Sequence, residues 1–328
     1  MEPDRSAALA DSILAAAERL RPYVKETLLE RSEILAAASG ARDTAVWLKC
    51  ENLQHTGSFK LRGACNKILT LSPDALARGV VTASTGNHAR GIAHALEIVG
   101  ARGTIYLPAT VSAGKLAALR RYPSAALELL HADSDETEKH ARRVAEESGR
   151  VYISPYNDLD VIAGQGTIGV ELWRQCPGLD AVFVAVGGGG LITGIASYLK
   201  AVHPGVAIVG CWPENAPALH ASLQAGRIVA VAEKPTLSDG TAGGLEPGSV
   251  TLDLARELID DCVLVSEDEI AEAVRLVLLE HHLVIEGSAG VAVAAWKKAA
   301  ARYAGRTVAI VLCGGNISPA RLRQVLHD

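Results

Sequence analysis

The 328-residue chain is poor in aromatic residues and carries no surplus of positive charge. Phe, Trp and Tyr make up only 4% of it, although 49% of its residues are hydrophobic. We therefore expect a core built mainly from Ala, Val, Leu and Ile. The net charge of −5, with both signs spread along the chain, predicts neither a nucleic-acid surface nor a polybasic membrane patch. This length suffices for one large domain or two smaller ones.

The cysteines form no C-x-x-C pair and show no short spacing. This pattern argues against a disulfide framework and against a zinc site. It fits reduced thiols in a reducing compartment. The residues concerned are Cys50, Cys65, Cys176, Cys211, Cys262 and Cys313.

Long apolar runs are scarce, with one exception. Residues 181–199 are uncharged and long enough to span a bilayer, but four consecutive glycines divide them into a predicted strand and a predicted helix. We therefore expect no membrane span. The first residues include Glu2, Asp4 and Asp11 and lack the basic-then-apolar pattern of a signal peptide, which predicts a cytoplasmic protein.

Strand and helix patterns alternate along the chain, which predicts an α/β fold with parallel sheets covered by helices. Residues 236–249 are rich in glycine and are predicted to form a loop. The apolar periodicity predicts strands at 45–50, 79–82, 103–107, 125–130, 151–153, 181–186, 206–211, 261–265 and 307–312. It predicts helices at 7–20, 30–39, 88–99, 134–147, 161–174 and 191–201, and others that begin near 60, 112, 266 and 288.

One lysine, Lys60, directly follows Gly57, Ser58 and Phe59. Gly57 and Ser58 predict a turn and a helix N-cap, because a serine hydroxyl can accept a hydrogen bond from an amide of the first helical turn. Lys60 then lies in that turn, where the helix macrodipole disfavours a cation. An uncharged lysine is what Schiff-base chemistry requires. The alternative is an ordinary solvated lysine.

The tetraglycine Gly187, Gly188, Gly189 and Gly190 follows a predicted strand and precedes a helix that begins at Leu191. A backbone without side chains can wrap closely around an anion, and the helix start adds free amides and a favourable dipole. No Lys-Ser/Thr pair follows, so this is not a nucleotide P-loop. The alternative is a flexible turn.

A second loop, Ser84, Thr85, Gly86, Asn87 and His88, also stands between a predicted strand and a predicted helix. Its hydroxyls and amides could bind a carboxylate at the helix N-terminus. A plain helix cap is an alternative that can hold at the same time. We interpret His88 as a structural residue at the helix start.

A third glycine-rich segment, Gly164 to Gly169, spells the G-x-G-x-x-G dinucleotide fingerprint. That fingerprint requires a preceding strand, and this segment lies inside a predicted helix. We therefore predict close packing between helices here, and no cofactor.

The run Ser58-Phe59-Lys60-Leu61-Arg62-Gly63-Ala64 resembles the cofactor-lysine motif of the serine/threonine dehydratase family. These enzymes use pyridoxal phosphate (PLP), have the tryptophan-synthase-β-like fold (fold type II) and include serine racemase. The resemblance covers nearly the whole chain. It implies a homodimer with two lobes, a large domain of residues 1–70 and 155–328 and a small domain of residues 71–154.

The resemblance also implies roles for these motifs. Lys60, preceded by Phe59, would hold PLP as a Schiff base and remove the Cα proton of the substrate. Residues 187–190 and Leu191 would bind the cofactor phosphate. Residues 84–88 would bind the substrate carboxylate, and Asn87 would also contact the 3′-oxygen of PLP.

Cys313, which precedes Gly314, Gly315 and Asn316, would face the pyridine nitrogen. A neutral thiol there favours β-elimination over transamination, because it does not hold a protonated ring as a carboxylate would. A buried small hydrophobe is the alternative interpretation. Asp239 and Glu286 lie in segments that resemble regions near the cofactor, although a turn residue and a helix cap would explain them equally well.

The implied function is β-elimination of a β-hydroxy amino acid such as L-threonine or L-serine to a 2-oxo acid and ammonia. Serine racemases have serine where this chain has Thr85, which keeps the hydroxyl but is stiffer at χ1, so racemisation remains an alternative. Racemase-type members also bind a divalent cation through carboxylates. Trp212 and Ala218 stand at those positions, so we expect no metal there, although Glu214 leaves a shifted site open.

Two further interpretations concern the biological role. The chain ends soon after Cys313, without a regulatory domain like that of biosynthetic threonine dehydratases, which predicts a catabolic enzyme. The loop 83–88 also resembles that of dehydratase-like proteins of ectoine and hydroxyectoine breakdown, so a hydroxyectoine-derived substrate is open. A non-catalytic amino-acid or phosphate sensor with the same fold is the alternative from another functional class.

Overall fold

The computed structural model describes residues 5–131 and 133–327; Glu2 and Asp4 lie outside these ranges. Its strands form two sheets. They are β1 (Leu29–Arg31), β2 (Ala45–Lys49), β3 (Val80–Ala83), β4 (Gly103–Pro108), β5 (Ala125–Leu130), β6 (Val151–Tyr152), β7 (Ala181–Ala185), β8 (Ala207–Pro213), β9 (Asp261–Val265) and β10 (Thr307–Val311).

Helices alternate with these strands, and two short 3₁₀ turns lie at Glu51–Leu53 and Ala300–Tyr303. The α-helices are α1 (Arg5–Leu20), α2 (Glu33–Ala37), α3 (Lys60–Thr70), α4 (Pro73–Arg78), α5 (Asn87–Val99), α6 (Ala113–Leu119), α7 (Ser134–Ser148), α8 (Leu159–Gln175), α9 (Gly190–Val202), α10 (Ala218–Ala225), α11 (Val250–Leu258), α12 (Glu267–His281), α13 (Gly287–Ala299) and α14 (Pro319–His327).

The larger sheet has six strands in the order β1-β2-β10-β7-β8-β9. Only the edge strand β1 is antiparallel, and the other pairs are parallel. Helices α9 and α13 pack against its central strands, and α1, α8 and α12 pack against those helices. In its core the Phe183 and Trp296 rings meet edge to face at 5.5 Å, an arrangement that aromatic quadrupoles favour. The predicted α/β fold is confirmed.

The smaller sheet is wholly parallel, in the order β5-β4-β3-β6. Its strands lie within the range 71–154 predicted for the small domain, and those of the larger sheet lie outside it. The domain boundaries themselves stay a prediction. Helix α3 packs against both α5 and α8 and so links the surroundings of the two sheets.

The segment with four glycines does not span a membrane, because it divides into β7 and α9. Among residues 5–131 and 133–327, no helix combines the length and the apolar character that a bilayer span requires.

Other predictions of secondary structure were wrong. The helix predicted for 30–39 is a short strand, β1, followed by α2, because β1 pairs with β2 and Ser32 caps α2. Sequence periodicity also missed α4, α10, α11 and α14.

A buried ion network joins helix α3 to helix α8, strand β2 and the 3₁₀ turn at Glu51–Leu53. The guanidinium of Arg62 forms a two-pronged hydrogen bond with Glu51, at 2.8 and 2.7 Å, and a second with Glu171, at 2.6 and 3.0 Å. Lys49 also contacts Glu171, and the Arg62 and Lys49 side chains are inaccessible to solvent. Two cations and two anions thus compensate one another where unpaired charge would be strongly unfavourable.

We predict that Arg62→Met lowers the free energy of unfolding by about 3–5 kcal/mol, because it leaves two buried carboxylates with Lys49 as their remaining cation. Urea unfolding followed by circular dichroism measures the change. The matched control is Arg31→Met, which breaks an exposed pair with Glu33 and should cost at most about 1 kcal/mol. A loss below about 1 kcal/mol for Arg62→Met would contradict the prediction.

Candidate active site

A cavity of about 1040 Å³ opens at the carboxyl ends of β3, β7 and β10. Residues that follow strands of both sheets line it. The carboxyl ends of parallel strands are the usual place for a ligand in an α/β protein. The predicted site residues meet here. They are Phe59, Lys60, Ser84, Thr85, Gly86, Asn87, His88, Gly187, Gly188, Gly189, Gly190, Leu191 and Cys313.

Lys60 is the first residue of α3, as predicted. Its Nζ donates a hydrogen bond to the Pro155 carbonyl at 2.8 Å and lies 5.1 Å from the centre of the Phe59 ring. Burial lowers the pKa of Lys60 to about 8, although nearby Cys313 and Glu286 act in the opposite direction. A substantial fraction of the amine is therefore neutral near pH 8, as a nucleophile or general base requires.

Ser58 does not cap this helix, so that prediction was wrong. Phe59 occupies the N-cap position without a side-chain hydrogen bond, and the buried Ser58 hydroxyl has no hydrogen-bond partner among the described residues. The reason is tertiary. Ser58 pairs with Gly314 as an isolated β-bridge, and the Phe59 amide donates to the Cys313 carbonyl at 3.1 Å. This bridge ties the Lys60 turn to the end of β10.

The tetraglycine connects β7 to α9, as predicted. Gly189 has φ +91°, a left-handed conformation that strains other residues, and it caps α9 without a side-chain hydrogen bond. Space also demands glycine. A Cβ on Gly187 would approach Thr241 to 2.9 Å, and one on Gly188 would collide with the Tyr156 ring. The amides of the first α9 turn therefore stand at the cavity wall, without side-chain caps and suited to an anion.

The loop 84–88 connects β3 to α5. Gly86 occupies the N-cap position without a side-chain hydrogen bond, so the plain-cap interpretation was wrong. The Ser84 hydroxyl accepts instead from the Gly86 amide, at 3.2 Å. His88 is structural: its Nε2 contacts the Ile153 carbonyl at 3.0 Å, and burial lowers its pKa to about 3. A second uncapped helix start thus faces the cavity.

Cys313 follows β10, and burial raises the pKa of its thiol well above the usual range. The side chain therefore stays neutral. A helix cap was one interpretation of Glu286, but its side chain makes no capping hydrogen bond at the start of α13. It accepts a hydrogen bond from Asn87 instead, at 2.7 Å. Asp239 lies at the cavity wall, where its exposed carboxylate is 3.7 Å from Lys115.

The segment 164–169 lies in α8 and packs closely, as predicted. A Cβ on Gly164 would approach Gly63 to 2.6 Å, and one on Gly166 would approach the Gly194 carbonyl to 2.8 Å. Glycine here lets α8 approach α3 and α9. The backbone separation would have to grow if either residue carried a side chain.

Trp212 and Ala218, which stand where racemase-type members carry metal ligands, are both buried. Neither side chain can supply an oxygen ligand. The carboxylate of Glu214 lies 3.7 Å from Lys298. Among the residues that the structure describes, no group of three or more His, Cys, Asp and Glu side chains could hold a metal ion.

Sequence reasoning missed several polar residues at the site. Asn316 ends the motif that begins at Cys313, and the sequence assigned it no role. In the structure it contacts Asn87, Arg90 and Thr56. Tyr156 lies against the tetraglycine, and its hydroxyl accepts from the amide of Glu246 at 2.7 Å. The sequence offered one signal, the position of Asn316 directly after Gly314 and Gly315. The partners of Asn316 and Tyr156 lie far away in the chain, so the contacts are visible only in the folded structure.

These residues fit pyridoxal phosphate. An uncapped helix start that glycines keep free of side chains suits the phosphate. A buried lysine of lowered pKa in the same cavity suits the aldehyde. A neutral thiol and a carboxamide, Cys313 and Asn87, line the same space.

We predict that Lys60 in the cofactor-free protein titrates with a midpoint near pH 8, because burial disfavours its charged form. Competitive acetylation followed by mass spectrometry measures the reactive, neutral fraction at each pH. Lys67 is the internal control: burial alone would lower its pKa, but its ion pairs with Asp158 and Asp160 raise it. Identical labelling profiles for the two lysines would contradict the prediction.

Comparison with known proteins agrees with this geometry. A model of the family described as pyridoxal-phosphate-dependent enzyme matches residues 20–314. The L-threonine ammonia-lyase of Thermotoga maritima is 41% identical over 317 residues, covering 97% of this chain and 78% of that protein. The processed form of threonine deaminase isoform 2 from Solanum lycopersicum superposes with a TM-score of 0.92 at 34% identity, covering 100% of this chain and 94% of that one.

Maize serine racemase superposes with a TM-score of 0.89 at 33% identity, covering 97% of this chain and 96% of that one. The resemblance to the serine/threonine dehydratases and serine racemase, and the fold that it implied, are confirmed. The chain belongs to the family of pyridoxal-phosphate-dependent enzymes.

Proposed function

We propose that the protein is a PLP-dependent ammonia-lyase that converts L-threonine or L-serine to a 2-oxo acid and ammonia. The observation that carries the proposal is the meeting of Lys60 with two uncapped helix starts, those of α5 and α9, in one cavity. One helix start suits a phosphate and the other a substrate carboxylate. The similarity to an L-threonine ammonia-lyase and a threonine deaminase supports the same substrate class.

Each residue has a proposed task. Lys60 would hold PLP covalently, and the amides of residues 187–191 would bind its phosphate. Phe59, Asn87 and Cys313 would contact its ring. When bound, PLP supplies an electron sink for the negative charge that develops at the substrate Cα.

The remaining chemistry belongs to the protein. The loop 84–88 binds the substrate carboxylate through its amides and hydroxyls. Lys60, released from the cofactor, takes the Cα proton, because burial lowers its pKa to about 8 and so makes the neutral amine accessible near that pH. Cys313 stays a neutral thiol and adds no negative charge to the site. Loss of the β-hydroxyl as water leaves an enamine, which hydrolyses to the 2-oxo acid and ammonia.

We predict that Lys60→Ala lowers turnover of L-threonine and L-serine by at least about a thousandfold, because it removes both the covalent anchor and the base. Release of 2-oxo acid in a dehydrogenase-coupled assay measures it. Lys67→Ala, which removes an amine from the same helix outside the cavity, should keep most of the activity. Equal turnover by Lys60→Ala and the wild-type protein would exclude the proposed base.

Racemisation is the second candidate, supported by the maize serine racemase and by the hydroxyl of Thr85 at the cavity wall. A hydroxyl there could return a proton to the opposite face of Cα. A chiral assay of D-serine formed from L-serine separates the two reactions. A non-catalytic sensor would bind the amino acid and show neither product.

The substrate could also be larger than threonine. The cavity of about 1040 Å³ has to hold PLP beside the substrate, and a hydroxyectoine-derived amino acid is a candidate because of the resemblance in the loop 83–88. Comparing turnover of such an amino acid with that of L-threonine tests this. The catabolic role stays a prediction.

We also propose a cytoplasmic homodimer. All six cysteines are free thiols, as a reducing compartment favours. Leu28, Ile34 and Leu279 are exposed near the edge strand β1, where Ser32 contacts His281 at 2.9 Å and brings the end of α12 close. Such exposed apolar side chains are typical of an interface. Light scattering during size-exclusion chromatography measures the mass of the particle, and a monomer would contradict the proposal.

A further inference from the structure

We propose that Asn316 is a positioning residue that fixes the side-chain amide of Asn87, so that an N–H of Asn87 faces the cofactor. The inference rests on the PLP site proposed above. It comes from a cluster of four polar side chains at the cavity wall: Asn87 and Arg90 on α5, Glu286 at the start of α13 and Asn316 in the segment after β10.

The orientation of the Asn316 amide is determined by two groups that cannot exchange roles. Arg90 can only donate, and its Nη1 contacts Oδ1 of Asn316. The backbone carbonyl of Thr56 can only accept, and it lies 2.9 Å from Nδ2 of Asn316. A flipped amide would place an acceptor against the carbonyl and a donor against the guanidinium. Asn316 therefore has one permitted orientation.

The fixed orientation of the Asn316 side chain also determines the orientation of the Asn87 side chain. The second N–H of Asn316 points at Asn87, where Oδ1 accepts it at 2.7 Å. Nδ2 of Asn87 is thereby directed at Glu286, whose Oε1 accepts at 2.7 Å. Oε2 of Glu286 accepts from the backbone N–H of Asn316 at 3.0 Å. Each donor meets an acceptor, so the whole cluster is consistent with a single arrangement.

One N–H of Asn87 remains. A carboxamide carries two N–H donors, and the described contacts of Asn87 use one of them, with Glu286. Because Asn87 lines the cavity, its second N–H is available to an acceptor there. The ring of PLP carries an oxygen that becomes anionic, and a hydrogen bond to a charged group is stronger than one to a neutral group. A flipped Asn87 would present a lone pair to that anion.

The positioning role of Asn316 differs from a merely structural role in one respect: it depends on the direction of the hydrogen bonds. A merely structural link between α5 and the segments around Glu286 and Asn316 needs only that Asn87, Asn316 and Glu286 stay in contact. A positioning role needs the two N–H donors of Asn316, since these decide the donor-to-acceptor direction of the hydrogen bonds in the cluster. A substitution that keeps the shape of Asn316 and removes its donors therefore tests the proposal.

The experiment compares PLP binding by the wild-type protein and by Asn316→Asp, which keeps an acceptor for Arg90 and loses both N–H donors. PLP is added to the cofactor-free proteins, and quenching of tryptophan fluorescence gives the dissociation constant. The visible absorption band is recorded from pH 6 to 10. We expect PLP to bind about tenfold more weakly, as loss of one charge-assisted hydrogen bond predicts, and the pH dependence of the band to shift.

Two further variants keep the test decisive. Asn316→Leu removes the donors without adding charge, and PLP binding should weaken by the same factor. This variant carries the test if Asn316→Asp fails to fold. Asn215→Asp is the matched control, since its Nδ2 also donates to a backbone carbonyl, that of Pro235, at 2.7 Å and lies outside the cavity wall. It should stay within about twofold of the wild-type protein.

The outcomes are distinct. A folded Asn316 variant with the wild-type affinity and pH dependence would overturn the positioning role alone, provided that the wild-type protein shows the PLP band. A wild-type protein without that band would overturn the PLP site and, with it, this inference. Equal weakening in Asn215→Asp would also contradict it, because the effect would then not depend on contact with Asn87.

Discussion

The buried pairing of Arg62 with Glu51 and Glu171 is the interaction on which the position of the site depends. Successive residues of a helix are about 100° apart, so Lys60 and Arg62 point in nearly opposite directions. The four hydrogen bonds of Arg62 to the two carboxylates hold one face of α3 against helix α8 and the 3₁₀ turn at Glu51–Leu53. The opposite face then presents Lys60 to the cavity. Because unpaired buried charges are so unfavourable, this rotation of α3 has few alternatives.

The site concentrates groups that suit anions, yet its cysteine is a neutral thiol and the pKa of its lysine is lowered to about 8. Two helix starts without side-chain caps supply partial positive charge. Burial lowers the pKa of Lys60 and raises that of Cys313, so each is shifted toward its neutral form. A phosphate and a carboxylate can therefore bind through oriented amides, while Lys60 remains available for proton transfer. The lowered pKa of Lys60 agrees in direction with the expected uncharged lysine, and its cause is burial.

The sequence predicted where the glycine motifs lie between strands and helices, but only part of the reason why glycine is needed there. The tetraglycine was expected to let an anion approach, and the structure adds that a side chain on Gly187 would crowd Thr241 and one on Gly188 would collide with Tyr156. Ser58 illustrates the opposite case. Its residue type is that of a good helix cap, but pairing with Gly314 places it in a β-bridge. Local preference was overridden by a contact between residues far apart in the chain, which no spacing rule reports.

Taken by itself, the sequence determined the alternation of strands and helices, the lysine turn and the glycine loops, because these follow from hydrophobic periodicity and backbone sterics within short segments. Its motifs also sufficed to indicate the enzyme family. Only the tertiary structure decided which polar groups meet. Glu286 binds Asn87 and not its own helix start, and Asn316 is oriented by Arg90 and Thr56. Such pairings depend on how lobes and loops pack, since a hydrogen bond between distant residues leaves no periodic signal in the chain.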